Sequence, residues 1–206
     1  MNKSDCIVFD KVTISYGAEQ AVRDVSFSVP NGEVFAIVGE SGSGKSTLVS
    51  AAFGMLKQAN ISGQILLNGT DISTLSDGDW RQLRGTKISM IFQNPSAYLN
   101  PNRTVENHFK DLFLAHGESY EVSRVINMLQ LVHLTDGERI LQSYPFQLSG
   151  GMQQRLAIAL SLILKPSIVF ADEPTSALDM LVQASVLDLM KEVTQALGAT
   201  VIIVTH

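Results

Sequence analysis

The 206-residue sequence predicts an α/β fold: a parallel sheet with helices on both faces and an α-helical insert in the middle of the chain. Three observations predict it. Short apolar runs at Glu33–Val38, Lys87–Phe92, Ile168–Ala171 and Thr200–Thr205 have the length and content of buried strands. Helical stretches separate them, and strands alternating with helices imply parallel pairing. Between about Asn102 and Gln147 that alternation stops, and the signals are helical alone.

Taken in order, Ile7–Tyr16 and Val25–Val29 alternate apolar and polar residues as half-buried strands do. Pro30-Asn31-Gly32 is a turn, and Glu33–Val38 reads as a strand covered on both faces. A glycine-rich loop leads into a helix over Lys45–Leu56. Gly63–Asn68 is a strand ending at an Asn68-Gly69 turn, and Asp77–Arg84 a short helix. In the insert, Val122, Val125, Ile126, Leu129 and Val132 share one helix face. A helix from Ser149 to Leu164 follows, with a buried apolar core from Leu156. A last helix spans Leu181–Leu197, with Gly198 as its C-cap. Met55, Met128 and Met190 lie on apolar faces and read as core.

Composition narrows the function classes. Hydrophobic residues make up 45% of the chain and charged residues 17%, against about 25% in an average soluble domain. One domain with a substantial core is expected. The apolar content excludes disorder, and the single Cys6 excludes a disulfide scaffold. A net charge of −5 argues against nucleic-acid binding. Residues 1–10 contain no apolar run of signal-peptide length, and no stretch reaches the ~18 apolar residues of a spanning helix. A soluble, intracellular chain is therefore expected. His108, His116 and His133 lack metal-site spacing and read as structural or surface residues.

Two motifs carry chemistry. Gly39-Glu40-Ser41-Gly42-Ser43-Gly44-Lys45-Ser46 fits the phosphate-binding pattern G-x-x-x-x-G-K-[ST] between a strand and a helix. Its glycines let backbone N–H groups converge on phosphate oxygens, and the helix N-terminus adds partial positive charge. Lys45 would reach the β- and γ-phosphates, Ser46 would ligate Mg2+, and Thr47 would add a phosphate hydrogen bond. Such a match arises by chance less than about 1% of the time in a chain this long. Farther on, the apolar strand before Pro174 ends in Asp172 and Glu173. Asp172 could hold Mg2+ through water. If strand geometry persists, Glu173 points to the opposite face, where it could polarise an attacking water. The bland reading is a strand ending in solvated acids.

Leu148-Ser149-Gly150-Gly151-Met152, followed by Gln153-Gln154-Arg155, resembles the signature motif of ATP-binding-cassette (ABC) ATPases. Its form, with Tyr144-Pro145 before it and Leu99-Asn100-Pro101 after Gln93, is similar to that of bacterial dipeptide, oligopeptide and nickel importers. Other family marks fall in order: Tyr16 resembles the adenine-stacking aromatic and Gln93 the Q-loop glutamine. Ser176-Ala177-Leu178-Asp179 resembles the D-loop, and His206 the switch histidine. Taken alone, Tyr16 is a packing residue, Gln93 a loop amide, and Ser149 a helix N-cap; a capped N-terminus is also what binds phosphate.

The resemblance implies a P-loop NTPase (ABC ATPase) core with mostly parallel sheet, an N-terminal antiparallel β region and an inserted α-helical subdomain. It divides the single domain 1–206 into a nucleotide-binding core, 1–101 and 148–206, and a helical subdomain, 102–147. It also implies a continuation of the family domain after His206. The implied activity is Mg2+-dependent ATP hydrolysis, with Glu173, His206 and Gln93 catalytic and Ser46, Gln93 and Asp172 at the metal. ATP would lie between the phosphate loop of one copy and the signature of a second, head-to-tail copy, identical or not. The helical subdomain would receive membrane permease subunits at the cytoplasmic side of the membrane, and a substrate-binding protein would act indirectly. The competing class is a soluble ABC ATPase of repair, translation or cofactor assembly.

Overall fold

The computed structural model describes residues 5–175 and 180–205. Ser176, Ala177, Leu178, Asp179 and His206 lie outside the described residues. Strands β1 (Asp5–Tyr16) and β2 (Glu19–Pro30) form a hairpin, and β3 (Val34–Val38) leads into the glycine-rich loop and helix α1 (Lys45–Ala52). Then come β4 (Asn60–Leu67), β5 (Thr70–Asp71), α2 (Asp77–Leu83) and β6 (Ile88–Ile91). Three helices follow, α3 (Val105–Ala115), α4 (Val122–Leu131) and α5 (Gly137–Gln142). The chain returns to alternation with α6 (Gly150–Leu162), β7 (Ile168–Asp172), α7 (Met180–Leu197) and β8 (Thr200–Thr205).

Two sheets result. The first is antiparallel, in the order β2-β1-β4-β5; the second is parallel, in the order β3-β8-β7-β6. In β1 the inward residues switch from Ile7 and Phe9 to Val12 and Ile14. The cause is a bulge at Lys11, whose φ of 50° breaks the period-two alternation and shifts the register. Asn68 and Gly69, both with positive φ, make the turn between β4 and β5. Ser76 and Asp79 form a reciprocal capping box that starts α2.

The parallel sheet is the wall between two cores, because alternate residues face opposite ways. Ile168, Phe170, Ile202 and Val204 join Leu48 and Val49 of α1 and the inner face of the antiparallel sheet. Val169, Ala171 and Val201 join Phe109, Leu129, Leu156 and Val193 of the helices on the other side. Phe9, Phe27 and Phe35 stack in sequence at 4.6 Å and 5.3 Å, tying the hairpin to β3.

Four local readings differ from expectation. Among the described residues, strand β3 is not covered on both faces: Val34, Ala36 and Val38 are exposed, Val38 by 67%, and β3 pairs there with β8 alone. Helix α1 stops at Ala52 rather than Leu56. Gly54 turns left-handed (φ 70°), and the Arg84 guanidinium caps the Phe53 and Gly54 carbonyls at 3.1 and 2.7 Å. Met55, just beyond that stop, is therefore 45% exposed rather than core. Val122 opens α4 half exposed, while Val125, Leu129 and Val132 are buried as the periodicity requires. No helix among the described residues is long and apolar enough to cross a membrane.

Candidate functional site

The phosphate loop occupies the crevice between the end of β3 and the start of α1. Gly44 is the N-cap of α1 with φ 89°, and a Cβ there would lie 2.3 Å from the Ala21 carbonyl oxygen. Only glycine lets the loop pack this closely on β2. The Ser43 N–H donates to the Glu40 carbonyl at 3.2 Å and closes the turn; Ser41 and Gly42 stand exposed at its tip. Lys45 is buried, and its ammonium donates to the carbonyls of Gly39 at 2.7 Å and Glu40 at 2.8 Å. The cation is thus held at the mouth of the loop by the loop's own backbone. Thr47 is half-buried one residue past Ser46.

The acidic pair meets this loop. The Ser46 hydroxyl donates to Asp172 Oδ1 at 2.8 Å, joining two motifs 126 residues apart. The contact follows from the topology, since β7 ends beside the N-terminus of α1 under a shared core. Burial pushes the Asp172 carboxyl above its ordinary range. The Ser46 hydrogen bond and the Lys45 charge oppose that shift, and Glu173 adds to it. Two hard oxygen donors, a hydroxyl and a half-buried carboxylate, stand side by side, which is the chemistry a Mg2+ ion selects.

Glu173 departs from the strand-alternation reading. Strand β7 ends at Asp172, and Glu173 takes a φ of 45°, so its direction follows from the turn rather than from the pleat. Its N–H donates to the Val204 carbonyl at 3.0 Å, which anchors the turn to β8. A left-handed non-glycine residue costs on the order of 1 kcal/mol and is held only where the surroundings impose it.

The remaining residues sit farther along the fold. Tyr16 closes β1, paired with Glu19, and is 42% exposed. Gln93 is exposed two residues beyond β6. Leu148 is buried in the helical-side core. Ser149 caps α6 by accepting the Met152 N–H at 3.3 Å, leaving Gly150 exposed and Gly151 half-buried. Gln153 turns back and donates to the carbonyls of Pro145 at 2.9 Å and Leu148 at 3.1 Å. Its amide fixes the loop before the signature. Helices α1 and α6 pack on opposite faces of the parallel sheet, so the two helix N-termini belong to different sides of the wall.

Sequence reasoning missed the Gly39 and Glu40 carbonyls as holders of Lys45, because backbone groups leave no residue-type signal. It also missed Gln153 as a tether, since a motif match does not show which way an amide points.

This fold, with its loop, acid pair and capped signature helix, is that of an ABC ATPase domain of the P-loop NTPase class. The family profile described as ABC transporter matches residues 22–176, and the chain belongs to that family. It is 46% identical over 196 residues to the dipeptide transport ATP-binding protein DppD of Bacillus subtilis, covering 92% of this chain and 58% of that protein. It is 40% identical over 193 residues to the oligopeptide transport ATP-binding protein OppD of Lactococcus lactis subsp. cremoris, covering 91% of this chain and 57% of that protein. The chain thus spans less than two thirds of the length of these relatives. Among solved structures it is similar to cbiO1 of Clostridium perfringens, part of the transporter complex cbiONQ. The TM-score is 0.82 at 29% identity, covering 98% of this chain and 78% of that one. It is equally similar (TM-score 0.82, 32% identity, 97% and 88% covered) to an ATP-binding cassette solved as a dimer in a post-hydrolysis state with ADP and Pi.

Proposed function

We propose that this chain is the ATP-binding and ATP-hydrolysing cassette of an importer, with peptides as the cargo class favoured over nickel or metal chelates. The observation that carries the reading is the Ser46–Asp172 hydrogen bond beside the buried Lys45. It unites the phosphate loop and the acid pair in one polar cluster. The printed functions of the peptide-transport relatives support the cargo class.

In this reading the N–H groups of residues 39–47 and the α1 N-terminus bind the phosphates of ATP, and Tyr16 stacks on the adenine. Lys45 exchanges its two carbonyl acceptors for phosphate oxygens. Ser46 and Asp172, with Gln93, would hold Mg2+, which supplies charge neutralisation on the phosphates when bound. Glu173 orients and deprotonates the attacking water, and His206 completes the γ-phosphate site.

The signature residues Leu148–Gln153, on the far side of the sheet from α1, serve the nucleotide of a second copy or close relative docked head to tail. Ser149, Gly150, Gly151 and Met152 face that nucleotide, and the D-loop role falls to Ser176, Ala177, Leu178 and Asp179. Residues 102–147 act as the helical subdomain, and residues 1–101 with 148–206 act as the nucleotide-binding core. A groove of about 440 Å³ lined by Phe92, Tyr98, Leu99, Asp111 and Leu112 receives the permease at the cytoplasmic face of the membrane. A substrate-binding protein selects cargo without touching this chain, and nucleic acid has no part in the cycle.

The test is Glu173→Gln. ATP binding measured by calorimetry stays near the parent value, while hydrolysis falls by at least about 100-fold. A variant that hydrolyses at the parent rate refutes the assignment of the base.

A further inference from the structure

We propose that His108 is a positioning residue. As a neutral imidazole it ties the backbone of Asn100, in the segment after Gln93, to helix α3, so that this segment and the groove wall move together. The Asn100 N–H donates to His108 Nε2 at 2.9 Å, and His108 Nδ1 lies 2.8 Å from the Thr104 carbonyl oxygen. A backbone N–H can only donate and a carbonyl can only accept. Nε2 is therefore bare and Nδ1 carries the proton. Both partners are backbone groups, so the tautomer is fixed by the course of the main chain.

Asn100 is the knot of its segment. Its carbonyl accepts the Arg103 N–H at 3.1 Å, and its side-chain Oδ1 accepts the Asn102 N–H at 3.0 Å. The turn 100–103 hangs from the imidazole at one end and runs into Thr104, the N-cap of α3, at the other. Toward Gln93, Phe92 and Tyr98 pack at 5.4 Å between ring centres. A displacement at Gln93 thus reaches α3 by two routes, the covalent chain and this side-chain strut, and the strut is the shorter one.

The groups that share the groove with His108 are few. Asp111 lies on the same helix and is paired with Arg103, and Tyr98 comes from the loop itself. Helix α6 contributes Ala157, Leu160 and Ser161, and the core side contributes Phe53, Gly85, Ser89 and Met90, all without charge. The tie is a property of the chain alone; its meaning for transport rests on the function proposed above.

Amide hydrogen exchange at Asn100 tests the tie in the parent chain, His108→Gln and His108→Leu at neutral pH. The glutamine oxygen can accept the same N–H; the leucine side chain cannot. After correction for intrinsic exchange, protection in His108→Leu is expected to fall about fivefold to tenfold below the parent, as one hydrogen bond is lost. His108→Gln should restore it. A leucine variant as protected as the parent, or a glutamine variant no better protected than leucine, overturns the proposal. If the leucine variant fails to fold, His108→Ala, which also lacks an acceptor, takes its place with the same expected outcomes.

Saturating ATP with Mg2+ provides the second arm. The change in protection of the α3 amides should be as large in His108→Gln as in the parent and smaller in His108→Leu, where only the covalent chain remains as a route. An equal response in the leucine variant refutes positioning. No response in any of the three refutes nucleotide binding instead and leaves the first arm to judge the tie.

Discussion

Adding one methyl group at Gly44 separates two requirements of the phosphate loop, backbone conformation and close approach. At φ 89° an L-residue is strained by about 1–2 kcal/mol. The new Cβ would also sit 2.3 Å from the Ala21 oxygen and 3.0 Å from Val22 Cγ2. Ordinary contact begins at 3.4 Å, so the loop must retreat by about 1 Å from β2. That carries the N-cap of α1, and with it Lys45 and Ser46, out of register with Asp172. Gly42→Ala is the control: its φ is 79°, but nothing lies within 4 Å of the added carbon. Gly42→Ala should lose about 1–2 kcal/mol in urea unfolding, and Gly44→Ala about 2–4 kcal/mol. ATP affinity, measured by titration calorimetry, should fall at least about 30-fold for Gly44→Ala, because a misplacement of about 1 Å at a phosphate site is costly. Equal losses in the two variants would refute the argument, since only the strain they share would then matter.

The pH dependence at Asp172 has a definite sign. Its folded pKa is raised by burial, so its contribution to stability is full only below the ordinary carboxylate value of 3.8 and is lost as pH rises through the folded value. Asp172→Asn keeps an acceptor for Ser46 without the charge. Its melting temperature should exceed the parent's at neutral pH, with the gap closing on acidification, while ATP hydrolysis is lost. Arg84 donates to the Phe53 and Gly54 carbonyls and lies 5.5 Å and 5.0 Å from the ring centres of Phe53 and Trp80. Arg84→Ala should lower unfolding free energy by about 2–4 kcal/mol in urea titrations, and Arg84→Lys should restore little of it.

The order of strands and helices was legible because apolar runs and helical periods are local. What escaped was set by neighbours distant in sequence. The run Val34–Val38 carries no polar residue, so nothing local marks Val34, Ala36 and Val38 as its exposed side. Helix α1 carries an apolar pattern past Ala52, but Arg84, 31 residues from the Phe53 carbonyl it caps, ends it. At the site, residue types revealed the phosphate loop and the acid pair. The alternation argument stops short of Glu173, because β7 ends at Asp172 and the next residue is left-handed. The pairing of Ser46 with Asp172 needs the three-dimensional crossing of β7 and α1, which no spacing rule contains.

The parallel sheet also has a mechanical consequence. Each of its inner strands, β7 and β8, contributes side chains to both hydrophobic cores in alternation. Neither core can loosen without withdrawing support from the residues one step along the same strands. The antiparallel hairpin and the helical bundle are therefore leaves hinged on one spine. A lesion such as a cavity at Phe170 would be felt by the helices across the sheet as well as by α1 beside it.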